Sequence, residues 1–181
     1  MPSKKLAQTW ELLGIVVIFS TGAALHFAFE WSGYWKPIAW FVAINESTWE
    51  HVKLAFWPGI IWALIGYFII GKVTSNYWFV KALGLLSMPV IITVIFYSYT
   101  TILGKNYLWI DILSFLFAIS VGQFISHRSF LFRKLHVSFQ WLGGLVIMGM
   151  TLAFVLFTYM PPHLFIFEHV QTHEYGILSH Y

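Results

Sequence analysis

The sequence predicts an all-α integral membrane protein, a bundle of five transmembrane helices with a short interfacial or re-entrant segment before the second. Hydrophobic residues make up 59% of the 181-residue chain and charged residues only 9%, far from the usual composition of soluble domains. Each of five apolar runs approaches or exceeds the roughly 20 residues that a helix needs to cross a bilayer. Little length remains for a soluble domain, so residues 1–181 are expected to form a single transmembrane domain.

The five predicted spans are separated by prolines, glycines and charged residues. They are expected at residues 10–31, 47–71, 79–103, 108–127 and 137–160, followed by a tail at 161–181. The stretch KPIAWFVAI, residues 36–44, precedes the second span and is too short to cross a bilayer. Its aromatic content is typical of a segment that lies at the membrane interface or re-enters from it.

Lysine and arginine residues fall unequally on the two sides of this topology, and an excess of such residues marks the cytoplasmic side. The larger group has seven members and the smaller has three, respectively Lys4, Lys5, Lys72, Lys81, Arg128, Arg133 and Lys134, and Lys36, Lys53 and Lys105. The amino terminus is therefore predicted inside and the tail outside.

Composition also limits the chemistry and the partners. The chain has no cysteine, which excludes disulfides and thiolate metal ligands, so a bound metal must use imidazole, carboxylate or carbonyl groups. The net charge of +3 arises from basic residues scattered at the ends of apolar runs, and they form no patch suited to nucleic acid. Membrane lipid is the expected partner, and a homo-oligomer is compatible with the composition.

Ionisable residues concentrate on the predicted outer side, although a charge at depth in a membrane costs on the order of 2.5 to 3.5 kcal/mol. Six of the seven acidic residues fall there, Glu11 being the exception. Such a one-sided group indicates that its members pair with one another or bind an ion. The densest part is the stretch INESTWEHVK, residues 44–53.

A structural interpretation accounts for Glu50. The sequence Ser47-Thr48-Trp49-Glu50 fits a capping box, in which the serine hydroxyl and the glutamate carboxylate each accept the other residue's backbone N–H. Lys53, three residues later, is placed for an ion pair with Glu50. A cap does not explain why Glu46 and His51 flank Glu50.

A metal site explains that group of residues. If the helix began at Asn45, Glu46 and Glu50 would share one face, where two carboxylates repel unless a proton, a cation or Lys53 separates them. Carboxylate and imidazole ligands suit a divalent metal such as zinc, and an open position on the metal would activate a water. We expect Glu46 and His51 to be ligands, and Glu46 and Glu50 to take part in catalysis, Glu50 as a ligand or as the general base.

The tail supplies a third expected ligand, His163. Pro161 and Pro162 end the fifth span, so His163 is displayed on irregular backbone at the outer surface. Other residues are expected to support the polar site, either within it or as local ion pairs: Asn45, His26, Glu30, Lys53, Asp111 and Glu168. The spacing of His26 and Glu30 also fits a simple ion pair along the first span.

The motif N-E-S-T-W-E-H, with a lysine and an apolar run after it, resembles a family of small prokaryotic multipass membrane proteins of unknown function. The family pattern is N-E-[ST]-x-W-E-H with a tail of P-P-H, an acidic residue and Y-G. The matching positions are Asn45, Glu46, Ser47, Trp49, Glu50, His51, Pro161, Pro162, His163, Glu168, Tyr175 and Gly176. The resemblance implies a fold and a polar site, and with the charge distribution it implies a prokaryotic plasma membrane with that site facing the extracytoplasmic side.

Three classes of function are compatible with these observations. The first is a metal-dependent membrane hydrolase acting on a lipid or a lipid-linked substrate. The second is a cation or proton transporter or channel, although spans three to five carry no ionisable residue at mid-depth to continue a pathway. The third is a non-catalytic binding or assembly module, in which the polar cluster fastens the tail to the first two spans.

Overall fold

The computed structural model describes residues 4–71, 76–129 and 135–178 of the chain. Five helices account for most of them: α1 (Lys4–Trp31), α2 (Thr48–Ile69), α3 (Tyr77–Leu103), α4 (Leu108–Ser129) and α5 (Val137–Tyr159). Each is long and apolar enough to cross a membrane. The predicted all-helical bundle of five spans is confirmed, and the main difference is that α1 begins at Lys4 and not near residue 10.

The second helix is the centre of the bundle. In the most apolar stretch of α2, 56% of the residues are buried inside the protein, against 22–39% in the other four helices. It packs against α1 on one side and α3 on the other, and α3 also packs against α4 and α5. The resulting core contains Phe56 and Trp57 from α2, Met88 from α3 and Ile119 from α4. Large apolar side chains elsewhere remain exposed on the outside of the bundle, as expected of surfaces that face lipid.

Close approach of α3 and α4 depends on two glycines. A Cβ atom on Gly84 would lie 2.7 Å from the carbonyl oxygen of Gly122, and a Cβ on Gly122 would lie 2.8 Å from the carbonyl oxygen of Gly84. Neither distance is compatible with a real side chain, so the two backbones are in direct contact. Small residues at helix contacts are typical of membrane bundles.

The segment between α1 and α2 is packed within the protein. It contains a short 3-10 helix, Lys36–Ile38, and continues as irregular backbone to Ser47. Ala39, Val42 and Ile44 are buried and form a small core with Phe29 of α1, against which Ile177 of the tail also packs. The predicted short segment before the second span is therefore a buried connection, and its interfacial or re-entrant position stays a prediction.

The alternating direction of the helices defines two ends of the bundle. We call the end that contains Trp31, Thr48, Leu103, Leu108 and Tyr159 the cluster face, and the other end the opposite face. Three of the residues behind the predicted orientation, Lys72, Arg133 and Lys134, lie outside the described residues. The assignment of the cluster face to the extracytoplasmic side stays a prediction.

Candidate functional site

The start of α2 determines how the polar motif is arranged. Ser47 has extended backbone angles and its hydroxyl accepts a hydrogen bond from the Glu50 N–H at 3.4 Å, so the helix begins at Thr48. The serine half of the predicted capping box is present. The other half is not, because the Glu50 carboxylate accepts the Ile44 N–H at 3.1 Å, while the Ser47 N–H is bound by the side chain of Asn45.

This boundary corrects one expectation from the sequence. Glu46 precedes the helix, so it does not share a helix face with Glu50. The two carboxylates have separate surroundings, since Glu50 is buried with only 2% of its surface exposed, whereas the side chain of Glu46 is 48% exposed. The predicted polar site is thus two sites, one exposed and one buried.

The exposed site is a cluster of His26, Glu46 and His51, which we call the triad. The Nε2 atoms of the two histidines are 3.2 Å apart. The Oε2 atom of Glu46 lies 3.2 Å from Nε2 of His51 and 3.6 Å from Nε2 of His26. Among the described residues, these three form the one group of at least three histidine or acidic residues whose ligand atoms all lie within 4.8 Å of one another.

Each member of the triad comes from a different part of the chain. His26 projects from the last turns of α1, Glu46 from the buried connection, and His51 from the first turn of α2. The His26 ring also contacts the Phe27 ring in a tilted arrangement, with ring centroids 5.0 Å apart. Because α1 and α2 pack along their length, two histidines 25 residues apart in sequence meet at the cluster face.

A backbone hydrogen bond fixes the protonation state of His51 on one side of its ring. Nδ1 lies 2.8 Å from the carbonyl oxygen of Ser47, which only accepts hydrogen bonds, so Nδ1 carries a proton. In the neutral imidazole, Nε2 then presents a lone pair toward Glu46 and His26. Metal-binding histidines are commonly oriented by this kind of bond from the second ring nitrogen to a carbonyl.

The electrostatics of the triad keep Glu46 ionised. The contacts of its Oε2 with Nε2 of His26 and His51, each a hydrogen-bond donor when that nitrogen is protonated, hold the pKa of the Glu46 carboxyl well below its usual range, although partial burial acts in the opposite direction. An anionic carboxylate at neutral pH is the form that binds a cation. A further acid, Asp111 at the start of α4, interacts electrostatically with His51 and accepts a hydrogen bond from the Tyr99 hydroxyl.

The buried site contains Glu50 and Lys53. Their charged atoms are 2.6 Å apart, and neither side chain is more than 3% exposed. The Lys53 ammonium also donates to the carbonyl oxygen of Ala39 at 2.9 Å and to the Thr158 hydroxyl at 2.7 Å. These bonds join α2 to the connection before it and to α5. The predicted Glu50–Lys53 ion pair is present, and the pair serves to hold these elements together.

Asn45 fastens the tail to this region. Its side-chain amide donates to the carbonyl oxygen of Gly176 at 2.8 Å, a contact between residues 131 positions apart. Gly176 has a φ angle of +71°, which favours glycine, and it packs near Pro161. The tail is therefore folded back onto the start of α2.

The structure does not bring His163 into the triad. Its exposed ring stacks on Tyr175 of the tail, with centroids 4.6 Å apart and planes inclined by 12°. Glu168 is also occupied within the tail, where it pairs with His173. Glu30 is exposed and lies in none of the ion pairs found among residues 4–71, 76–129 and 135–178, so the proposed His26–Glu30 pair is replaced by the contact of His26 with Glu46.

Sequence reasoning missed one buried ion pair, at the opposite face. Glu11 of α1 pairs with Lys81 of α3, and both side chains are no more than 3% exposed. The available signal was an acid in one apolar run and a lysine in another, both near the same predicted side.

Comparison with known protein families identifies one matching family. The sequence matches a family of unknown function (DUF6512) over residues 1–177. The chain belongs to this family. No curated protein and no solved structure matches it. Membership agrees with the resemblance expected from the sequence motifs and assigns no activity, so the residues of the triad carry the functional argument.

Proposed function

We propose that this chain is a metal-dependent membrane hydrolase in which His26, Glu46 and His51 bind a divalent cation, with zinc the best fit. The spacing of the three ligand atoms carries the proposal. In a tetrahedral zinc site with bonds of about 2.0 to 2.2 Å, neighbouring ligand atoms are about 3.3 to 3.6 Å apart. The triad has separations of 3.2, 3.2 and 3.6 Å, which fit an ion at its centre.

The donor set and its surroundings agree with a catalytic site. Two histidines and one glutamate are a known ligand set of zinc hydrolases, in which the fourth position is open to water. The side chains of His26 and His51 are 30% and 32% exposed, so solvent reaches the triad. A zinc ion held by these three residues would lower the pKa of a bound water to about 7 and supply a nucleophile at neutral pH.

Without a metal, the triad needs an additional proton between His51 and Glu46. A neutral His51 and an ionised Glu46 both present acceptors, so their atoms at 3.2 Å need a proton or a cation between them. If that proton is on Nε2 of His51, the imidazole is charged and the triad is a surface ion pair. Such a pair corresponds to the assembly-module hypothesis, and metal analysis distinguishes the two.

We assign the general base to Asp111 in place of Glu50. Glu50 is buried and committed to Lys53, whereas Asp111 interacts electrostatically with His51 from the start of α4. Asp111 lies at the cluster face with the triad, and a carboxylate there is suited to accept a proton from a water in the site. The hydrogen bond from Tyr99 restricts the orientation of Asp111.

A lipid or lipid-linked substrate fits the position of the triad. It lies at the ends of α1 and α2, where a bundle of membrane length meets the polar surface. Large aromatic side chains near it are strongly exposed, namely Phe27, Trp31 and Trp109. A site with polar ligands and an apolar rim is suited to a substrate whose scissile bond lies beside its acyl chains.

Metal analysis of the purified protein tests the proposal. We expect about one zinc per chain after purification without chelator, and loss of most of it in His26→Ala. His163→Ala is the matched control, since it removes an exposed histidine at the same face that lies outside the triad. Equal metal content in both variants, or none in the wild type after zinc is supplied, would contradict the proposed site.

Catalysis requires a second measurement. The zinc-loaded protein is to be incubated with fluorogenic phospholipid esters and phosphodiesters in mixed micelles. We expect turnover by the wild type, retention of zinc without turnover in Asp111→Asn, and turnover by Glu50→Gln wherever that variant folds. Zinc binding without turnover of either substrate class would support the metal site and contradict the proposed hydrolase activity.

A further inference from the structure

A cavity lies at the opposite face, between α1 and α4, and has a volume of about 540 Å³. Glu11 and His26 are 15 residues apart on α1, so at 1.5 Å per residue the cavity is about 22 Å from the triad. It belongs to a different end of the protein from the proposed metal site. This volume falls within the range of small-molecule binding sites, about 300 to 1,000 Å³.

The lining of the cavity changes from apolar to polar toward the end of the bundle. Leu12 and Ile15 of α1 face Phe117 and Val121 of α4 in its deeper part. Gln8 on α1 and, on α4, His127 and Arg128 line it nearer the helix ends. A lipid whose acyl chain lies at depth and whose polar head group lies at the membrane surface shows the same change in polarity.

Charge at this cavity is unbalanced. The negative charge of Glu11 is matched by Lys81, to which it is bound. Arg128 is exposed, its guanidinium lies over the Phe124 ring at 5.4 Å, and it forms no ion pair within the part of the chain that the structure describes. Lys5 is exposed one helical turn before Gln8 on α1. The cavity therefore has a positive rim above a neutral interior.

Two polar atoms at the cavity residues lack partners. Nδ1 of His127 and Oε2 of Glu11 are buried and accept or donate no hydrogen bond within residues 4–71, 76–129 and 135–178. Buried polar groups in proteins are nearly always satisfied, so these two atoms mark a polar position beneath the cavity wall.

We propose that this cavity binds an anionic phospholipid, with its phosphate at Arg128 and one acyl chain between α1 and α4. Arginine binds phosphate through paired, charge-assisted hydrogen bonds, and His127 and Gln8 add donors at the same level. Basic pockets between transmembrane helices commonly bind anionic lipid head groups. The predicted cytoplasmic orientation of this face is the one where anionic lipids are encountered.

Binding is tested on the full chain in detergent, by native mass spectrometry and thermal stability with added lipid. We expect dioleoyl-phosphatidylglycerol to remain bound and to raise the melting temperature more than dioleoyl-phosphatidylcholine does. Glycerol phosphate, which has the charge without the chains, is expected to have no effect at the same concentration. Equal binding of the two lipids, or an equal effect of glycerol phosphate, would overturn the proposal.

Variants localise the site. Arg128→Gln is expected to weaken phosphatidylglycerol binding about tenfold, the loss of roughly one charge-assisted contact. Lys105→Gln is the matched control, because Lys105 is also an exposed cation over an aromatic ring but lies at the cluster face. Ser120→Phe fills the cavity without changing charge and is expected to prevent binding. Unchanged phosphatidylglycerol binding by Arg128→Gln would contradict the proposed site. This test does not depend on whether Ser120→Phe folds.

Discussion

The ammonium of Lys53 lies 2.6 Å from the carboxylate of Glu50, one helical turn earlier on α2, in the interior of the protein. Taking two charges out of water is unfavourable, and their attraction offsets this cost only while both partners are present. Bonds to Ala39 and Thr158 satisfy the remaining donors of the lysine. We therefore expect single and double substitutions of this pair to differ strongly in their free energy of unfolding.

Glu50→Gln should reduce the free energy of unfolding by about 3 to 5 kcal/mol, because it leaves the buried Lys53 cation without a counter-charge. The double variant Glu50→Gln/Lys53→Met should recover most of that loss. Chemical denaturation in mixed micelles measures both. Glu30→Gln, an exposed acid of α1, is the control and should change stability by less than about 0.5 kcal/mol. A double variant less stable than the single one would contradict this account.

Thr158→Val tests the attachment of α5 to α2. The hydroxyl accepts a hydrogen bond from Lys53 and is fully buried, so its loss should cost about 1 to 3 kcal/mol in unfolding free energy. Thr151→Val, on the same helix and only partly buried, is the matched control and should have little effect. Similar stability of the two variants would show that the bond from Thr158 is dispensable.

Gly84→Leu should destabilise the contact between α3 and α4 by about 1 to 3 kcal/mol or more, since a Cβ already meets the backbone of Gly122. Gly144→Leu provides the comparison, because no atom lies within 4 Å of a Cβ built there. Melting temperatures of the two variants in one detergent measure the difference. An equal decrease in melting temperature for the two variants would show that the close approach of α3 and α4 does not contribute to stability.

Stability should depend on pH through Glu46. Its pKa is lower in the folded protein than in the unfolded chain, so the unfolded state binds more protons and stability falls as the solution is acidified. The contribution is complete above the unfolded pKa of about 4.3 and is lost progressively below it. Because the side chain is about half exposed, solvent screening keeps the effect small.

The measurement compares wild type with Glu46→Gln in the presence of a chelator, so that only protons compete for the carboxylate. The difference in melting temperature should be constant between pH 5 and pH 6 and shrink toward pH 3, marks chosen about one unit around the ordinary glutamate pKa. A difference that grew between pH 5 and pH 3 would contradict the contacts of Glu46 with His26 and His51.

Topology is tested by a reporter fused after Tyr181. The distribution of basic residues predicts that a reporter active only outside the cytoplasm gives a signal there. The same reporter placed before Met1 is the control and should be silent. The reverse pattern would place the triad in the cytoplasm and the Arg128 cavity outside.

The helices were predictable because a membrane span needs only length and low polarity, and both are local properties of the sequence. Four of the five helices begin within two residues of the predicted positions, since residues such as Ser47 and the capping histidine before Val137 mark their starts. The first helix begins earlier because the polar residues after Lys4 continue it.

The site was predictable only in part. The sequence identified Glu46 and His51, and the local pairing of Glu50 with Lys53, because these contacts span few residues. It gave His26 a supporting role, since its approach to His51 depends on how α1 packs against α2. The shared helix face of Glu46 and Glu50 depended on a helix start at Asn45. The side chain of Asn45 instead accepts the Ser47 N–H, and Glu46 lies before the helix.

The two buried ion pairs also differ in when each can form during synthesis. Glu50 and Lys53 are three residues apart, so the pair closes as soon as the first turn of α2 is helical, and the span can enter the bilayer with its charges matched. Glu11 must wait for Lys81, 70 residues later, and α1 therefore enters with an acid that has no counter-charge. Until α3 arrives, protonation of that acid or a place beside the translocation machinery has to stabilise the first helix.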